Sequence, residues 1–147
     1  MKNGSREIAI SADGIKKHFA TVQALVSAAP QIPGWSVVAF RQRKGAASIV
    51  HLGGLSLAPG DVWFRVEAQP SQPVSLYLYI RDFVQGERMR FAAAVYLLLD
   101  DVLGEYDVET KVGGIDFEAL PQSPEEHGLR PLPDLATVID GIFSPEP

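Results

Sequence analysis

DDVLGEYDVET, residues 100–110, sets five carboxylates in eleven positions directly behind the apolar run FAAAVYLLL at 91–99. How the chain continues through this stretch decides the fold. Upstream, Phe91, Ala94, Val95, Leu98 and Val102 keep helical spacing, and Ala92, Leu99 and Leu103 widen the stripe. A largely buried helix is therefore predicted over Glu87 to Leu103. Gly104 stands where a left-handed C-cap is wanted. Beyond it, EYDVETKV alternates, which predicts a strand. Tyr106, Val108, Thr110 and Val112 would line one face, and Glu105, Asp107, Glu109 and Lys111 the other. Gly113-Gly114 predicts a bend, after which IDFEAL resumes the strand.

Toward the N-terminus, REIAIS at 6–11 reads as a first strand. Ser11 or Asp13 then caps a helix carrying Ile15, Phe19, Val22, Val26 and Ala29, which Pro30 and Pro33-Gly34 stop. From Trp35 the period falls to two in WSVVAFRQR, SIVHL, VWFRVEA and VSLYLYI, each bounded by Gly, Pro, Asp or Ser. Four consecutive strands with short links predict an antiparallel meander. PQSPEEHGLRPLP reads as a loop, and Pro133-Asp134 opens a short helix, LATVIDGIF. The expected architecture is α+β: a single antiparallel sheet of about six strands, two main helices on one face and a short C-terminal helix. A ferredoxin-like or strand-swapped relative has the same element pattern.

The 147 residues, 46% hydrophobic and 21% charged, suit one domain spanning residues 1–147, with flexible ends expected at 1–5 and 144–147. Absence of cysteine removes disulfide frameworks, thiol catalysis and Cys-based metal sites. No apolar stretch reaches the roughly 18 residues of a membrane span, and the N-terminus has no signal-like apolar core. A cytoplasmic location is expected. The net charge of -5 is unevenly spread. Lys2, Arg6, Lys16, Lys17, Arg41, Arg43 and Lys44 outnumber Glu7 and Asp13 in the first 50 residues, whereas only Lys111 and Arg130 stand against eleven acids after residue 100. The two ends are expected to attract each other in the fold.

Strand phase picks out a candidate face. If Val62, Phe64 and Val66 point to the helices, Trp63, Arg65 and Glu67 point away; likewise Leu76, Leu78 and Ile80 inward turn Tyr77, Tyr79 and Arg81 outward. Val38 and Phe40 inward turn Arg41 and Arg43 outward. An open sheet face would then collect aromatic rings and guanidinium groups beside the Glu105, Asp107 and Glu109 stripe. Rings offer flat apolar area, and guanidinium groups offer paired donors to carboxylates or phosphates. Docking of another protein, of a second copy in a homodimer, or of a small anionic ligand fits this chemistry. The C-terminal helix, with Leu135, Val138, Ile139 and Ile142, is a rival occupant of the same face. Nucleic acid is opposed by the acidic balance and by the lack of an RNP-like sequence.

Catalytic signals are sparse. His18, His51 and His127 fall in different elements, and the sequence has neither DxDxDG, GxSxG, GxGxxG nor GxxxxGK[ST], so no metal, cofactor or nucleophile elbow is expected. Catalysis, if present, would use Glu105, Asp107 or Glu109 as general base, with a sheet arginine stabilising charge in a small hydrolase or lyase acting on an anionic substrate. A non-enzymatic binding module is the preferred expectation.

Trp35 and Ala39-Phe40-Arg41-Gln42-Arg43, taken with LDDVLGEYDVETKV, resemble a family of small bacterial proteins of unknown function over nearly the whole chain. The resemblance implies no activity and no catalytic residue. It does imply that Arg41, Arg43, Glu105, Tyr106, Asp107 and Glu109 lie together.

Overall fold

The computed structural model describes residues 6–45 and 48–144. Residues 1–5 and 145–147, where flexible ends are expected, lie outside the described residues. The fold is α+β, but the single antiparallel six-stranded sheet is not what forms. Among the described residues eight strands build three sheets of two, two and four strands, with parallel and antiparallel pairs, accompanied by four α-helices.

The largest sheet is built on β5 (Val62–Glu67) and β6 (Val74–Ile80), which pair antiparallel as predicted, with Trp63 opposite Tyr79 and Arg65 opposite Tyr77. On its outer sides lie β7 (Val112–Ala119), parallel to β6, and the two-residue β8 (Arg130–Pro131), antiparallel to β5. The bend expected at Gly113-Gly114 appears as a register shift of β7 against β6 between Val74 and Leu76. One face of this sheet is apolar. Val62, Phe64, Val74, Leu76, Leu78 and Ile80 are all 2% exposed or less and pack against α2 (Arg88–Leu103), whose Phe91, Ala94, Val95, Leu98, Leu99 and Val102 are buried as the helical spacing requires. Fully burying one such aliphatic side chain stabilises by roughly 1.5–3 kcal/mol, so this layer dominates the core.

The C-terminal helix α4 (Leu135–Phe143) joins the same side, placing Leu135 and Ile139 in the cluster with Leu132. It packs beside α2 and does not cover the opposite face of the sheet. SIVHL is shorter than predicted, β3 (Val50–Leu52), and the stretch after Gly53-Gly54 supplies its hairpin partner β4 (Leu55–Leu57). Val50 and Leu57 turn inward onto α2.

The N-terminal part forms a separate βαβ unit. β1 (Arg6–Ile10) and β2 (Trp35–Ala39) pair in parallel, bridged by α1 (Phe19–Ala28). Neither belongs to the large sheet, and α1 does not lie on its face. The unit has its own small cluster of Ala12, Phe19, Val22 and Phe40, joined by Ile10 and Ala39. Tyr106 completes it from the other body: its ring stands 5.6 Å from Phe19 and 5.4 Å from Phe40.

The decisive correction concerns residues 105–111, which form a helix, α3 (Glu105–Lys111), and not a strand. Gly104 does end α2 with positive φ (+83°), but its ψ of 147° is extended, so the left-handed C-cap does not form and the chain enters a new helix. Glu105 and Asp107 in its first turn and Lys111 in its last complement the helix dipole. Asp107 and Lys111 ion-pair at i, i+4 (3.3 Å), and Thr110 Oγ1 donates back to the Tyr106 carbonyl (2.8 Å). Within α3 the inward residues are Glu105 and Val108, at i and i+3, and the buried Val112 that follows already begins β7.

Candidate functional site

The sequence-derived candidates separate into two places. Arg41, Arg43, Glu105, Asp107 and Glu109 meet at the junction between the βαβ unit and the end of α2. Trp63, Arg65, Tyr77 and Tyr79 share the open face of the large sheet. The expectation that Arg41 and Arg43 join the aromatic face is therefore overturned: β2 stops at Ala39, and Phe40, at φ +66°, turns the chain toward the C-terminus of α2.

At the junction the segment 41–44 satisfies the carbonyls that the last turn of α2 leaves without partners. Lys44 N–H donates to Asp101 O (2.8 Å), and Arg43 Nε donates to Leu103 O (2.8 Å). The two remaining nitrogens of Arg43 reach Asp140 on α4 (2.9 and 2.8 Å), and Nη2 also reaches Asp107 (2.9 Å). These bonds hold the Asp140 carboxyl below its usual range and raise the guanidinium further. Arg41 spans Asp13 (3.1 Å) and Asp100 (3.2 Å). Arg43 thus ties the basic N-terminal part to the acidic C-terminal part through Asp107 and Asp140, and with Arg41–Asp100 three ion pairs clamp the two bodies, while Arg41–Asp13 stays within the N-terminal part.

Glu105 is the buried member, 1% exposed. Its carboxylate accepts from Ser11 Oγ (2.5 Å), the Ala12 amide (2.9 Å) and, at 3.4 Å, the Arg41 amide, while its own amide donates to Arg41 O (2.9 Å). Both oxygens are engaged, so Glu105 serves as a staple. Asp107, held between Arg43 and Lys111, is likewise committed.

Glu109 differs. It lines a groove of about 470 Å³ with Asp13, Gly14, Arg41, Tyr96, Leu97 and Asp100. Burial, then the Asp100 and Glu105 carboxylates, push its pKa up, with Lys16 opposing. Burial raises Asp100 in the same way, against the pull of Arg41. An acid with a raised folded-state pKa costs stability when ionised, and that cost is relieved as pH falls from above its folded value toward its ordinary 4.5. Glu109→Gln is thus expected to stabilise the fold at pH 7, with the gain over wild type shrinking as pH falls toward 4.5; urea midpoints measured from pH 7 down to pH 4 check it.

On the sheet, strand alternation holds: Trp63, Arg65, Tyr77 and Tyr79 are half-buried on the side away from α2, between buried neighbours except at the partly buried Val66. Arg65 stacks over the Tyr77 ring (4.0 Å to the centroid) and pairs with Glu67 (2.7 Å), to which the Tyr77 hydroxyl also donates (3.2 Å). Arg65 draws Glu67 below its usual pKa, and that carboxylate raises Tyr77. Arg81 lies just past the end of β6 and pairs with Asp61 (3.3 Å), so it belongs to the rim. The chain between β7 and β8 passes over one end of this face, where Arg65, Tyr79, Glu118, Pro121, His127 and Leu129 line a recess of about 340 Å³.

Sequence reasoning missed Asp13, Asp100 and Asp140, the partners of the two junction arginines. Only tertiary contact identifies them. It also missed Asp116 and Glu118, although their alternation with Phe117 in IDFEAL is the signal that places them beside Tyr77 and Tyr79. Among the described residues no group of three or more His, Asp or Glu side chains is placed to hold a metal ion, and no helix is long and apolar enough to cross a membrane. No protein-family model, curated protein or solved structure matches the chain.

Proposed function

We propose that the chain is a binding module that recognises a protein segment on the open face of its four-stranded sheet. The observation that carries this reading is the adjacency of Trp63, Tyr79, Tyr77 and Arg65 across β5 and β6, half-exposed and directly behind the best-packed layer of the core. Aromatic rings and arginine supply most interface hot spots, and here a rigid sheet holds them. Arg65 is already neutralised by Glu67, and Asp116 and Glu118 flank the tyrosines. The resulting surface is acidic, which disfavours phosphates and small anions and favours a cationic or neutral partner.

Selection of short random peptides against the protein tests the reading. Selected peptides should shield Trp63 from acrylamide in a Trp35→Phe background and should bind Tyr79→Ala weakly. Peptides that bind Tyr79→Ala as well as wild type would contradict it.

A second reading, a carboxylate-based hydrolase or lyase, is favoured by one observation: Glu109, with its raised pKa, stands beside Arg41 in a groove. Glu105 and Asp107 are too committed to act as bases, and Asp13 and Asp100 are tied to Arg41. The groove therefore offers one base without an acid partner, so the sheet face is preferred. Hydrolysis of nitrophenyl esters or phosphates that vanishes in Glu109→Gln would reverse the preference.

A further inference from the structure

We infer that the outer edge of β7 captures an extended segment of another protein, basic at alternate positions, by adding it to the sheet as a fifth strand. The inference rests on the reading of the open face as the binding surface and names its partner. Among the described residues β7 pairs with β6 alone, and it ends the strand order. Leu120 N–H donates to Ile80 O on the inner side (3.0 Å), so by strand alternation the amides of Ile115, Phe117 and Ala119 point to the outer edge. An unpaired row of donors and acceptors is a template for another strand.

The side chains say which strand fits. Asp116 and Glu118 stand on the open face, in register with Tyr77 and Tyr79, and among the described residues neither forms an ion pair. One column further in, Arg65 stacks on Tyr77 and bonds Glu67. That arrangement of ring, carboxylate and guanidinium is repeated at the edge with its cation missing. On the other face Ile115 and Phe117 turn toward the core, and Arg88 covers the Phe117 ring (4.8 Å). The matching strand thus carries Lys or Arg at i and i+2, with an apolar residue between them.

A second copy of this chain does not fit. Antiparallel self-pairing centred on Asp116, Phe117 or Glu118 sets acid against acid on the open face, and like charges directly opposite are destabilising. The bland role for these acids is to keep edges of other copies apart, and the test must separate the two.

The probe is a capped peptide of alternating lysine and valine. Its controls are a glutamate-valine peptide, the lysine-valine composition in blocks, and the alternating peptide with every second amide methylated. Calorimetry measures affinity, and hydrogen exchange locates the site. The alternating lysine peptide should bind, protect the amides of Ile115, Phe117 and Ala119, and lose about tenfold in affinity in the Asp116→Lys, Glu118→Lys double variant. That variant should gain the glutamate peptide, and methylation or block order should abolish binding. Failure of the lysine peptide to bind at millimolar concentration, equal binding of the glutamate peptide, or binding without β7 protection would each overturn the inference. β7 protection with full affinity retained in Tyr79→Ala would support edge pairing while removing the aromatic face from the binding surface.

Discussion

Glu105→Ala is expected to lower the unfolding free energy by about 3 to 5 kcal/mol, because a buried donor left without its acceptor costs about 1–3 kcal/mol and three donors lose theirs at once. Those donors are the Ser11 hydroxyl and the amides of Ala12 and Arg41, two of them in the βαβ unit and the third in the strap that follows it. Partial relaxation and rehydration keep the total below the sum of the largest single values. The carboxylate lies at the start of α3, where a negative charge also suits the helix dipole, a smaller contribution. Glu105→Gln keeps the shape and one acceptor oxygen but turns an NH2 group toward a donor, so it should fall between wild type and alanine. Urea unfolding followed by circular dichroism measures both. A loss below about 1 kcal/mol for the alanine variant would mean that water replaces the carboxylate, and that Glu105 does not hold the two bodies together.

Phe40→Ala should cost about 3 to 5 kcal/mol as well, the usual range for truncating a buried phenylalanine. Phe40 is 4% exposed, and its ring centroid lies 4.5 Å from that of Phe19. Its backbone sits at φ +66°, a region that costs a residue with a Cβ roughly 1–2 kcal/mol. Phe40→Gly removes the same ring but relieves that strain, so glycine should be less harmful here than alanine, by about 1 kcal/mol and against the usual order. Hydrogen exchange adds a spatial expectation. Because the cluster of Ala12, Phe19, Val22 and Phe40 is separate from the main core, amides of β1 and β2 should lose protection in Phe40→Ala while those of β5 and β6 keep it. Uniform loss across both bodies would show that they unfold as one unit.

Much of the main body is legible in the sequence. VWFRVEA and VSLYLYI alternate cleanly because each strand has one face on α2 and one away from it, and the helix from residue 88 follows its own stripe. EYDVETKV misleads because Val108 and Val112 satisfy both periods, and the acids that look like a stripe are helical neighbours with different jobs: Glu105 buried, Asp107 paired, Glu109 in a groove. Parallel pairing leaves no local mark, so nothing in REIAI or WSVVA announces that they pair with each other across a helix, or that β7 runs alongside β6. The end of β2 is hidden for a related reason. A left-handed phenylalanine carries no compositional flag, and without it Arg41 and Arg43 read as strand residues. Arg41, Arg43, Glu105, Tyr106, Asp107 and Glu109 lie at one junction because segment 41–44 caps α2 where α3 begins.

A recognition surface on the aromatic face serves binding and is not needed for folding. Trp63→Ala addresses this most directly, with stability by urea unfolding and affinity for face-selected peptides taken on the same sample. The expected result is a stability loss of about 1 kcal/mol, the scale of one cross-strand aromatic pair, together with loss of peptide binding. A loss of 3 to 5 kcal/mol with binding intact in the folded fraction would place Trp63 in the core's service and contradict the account.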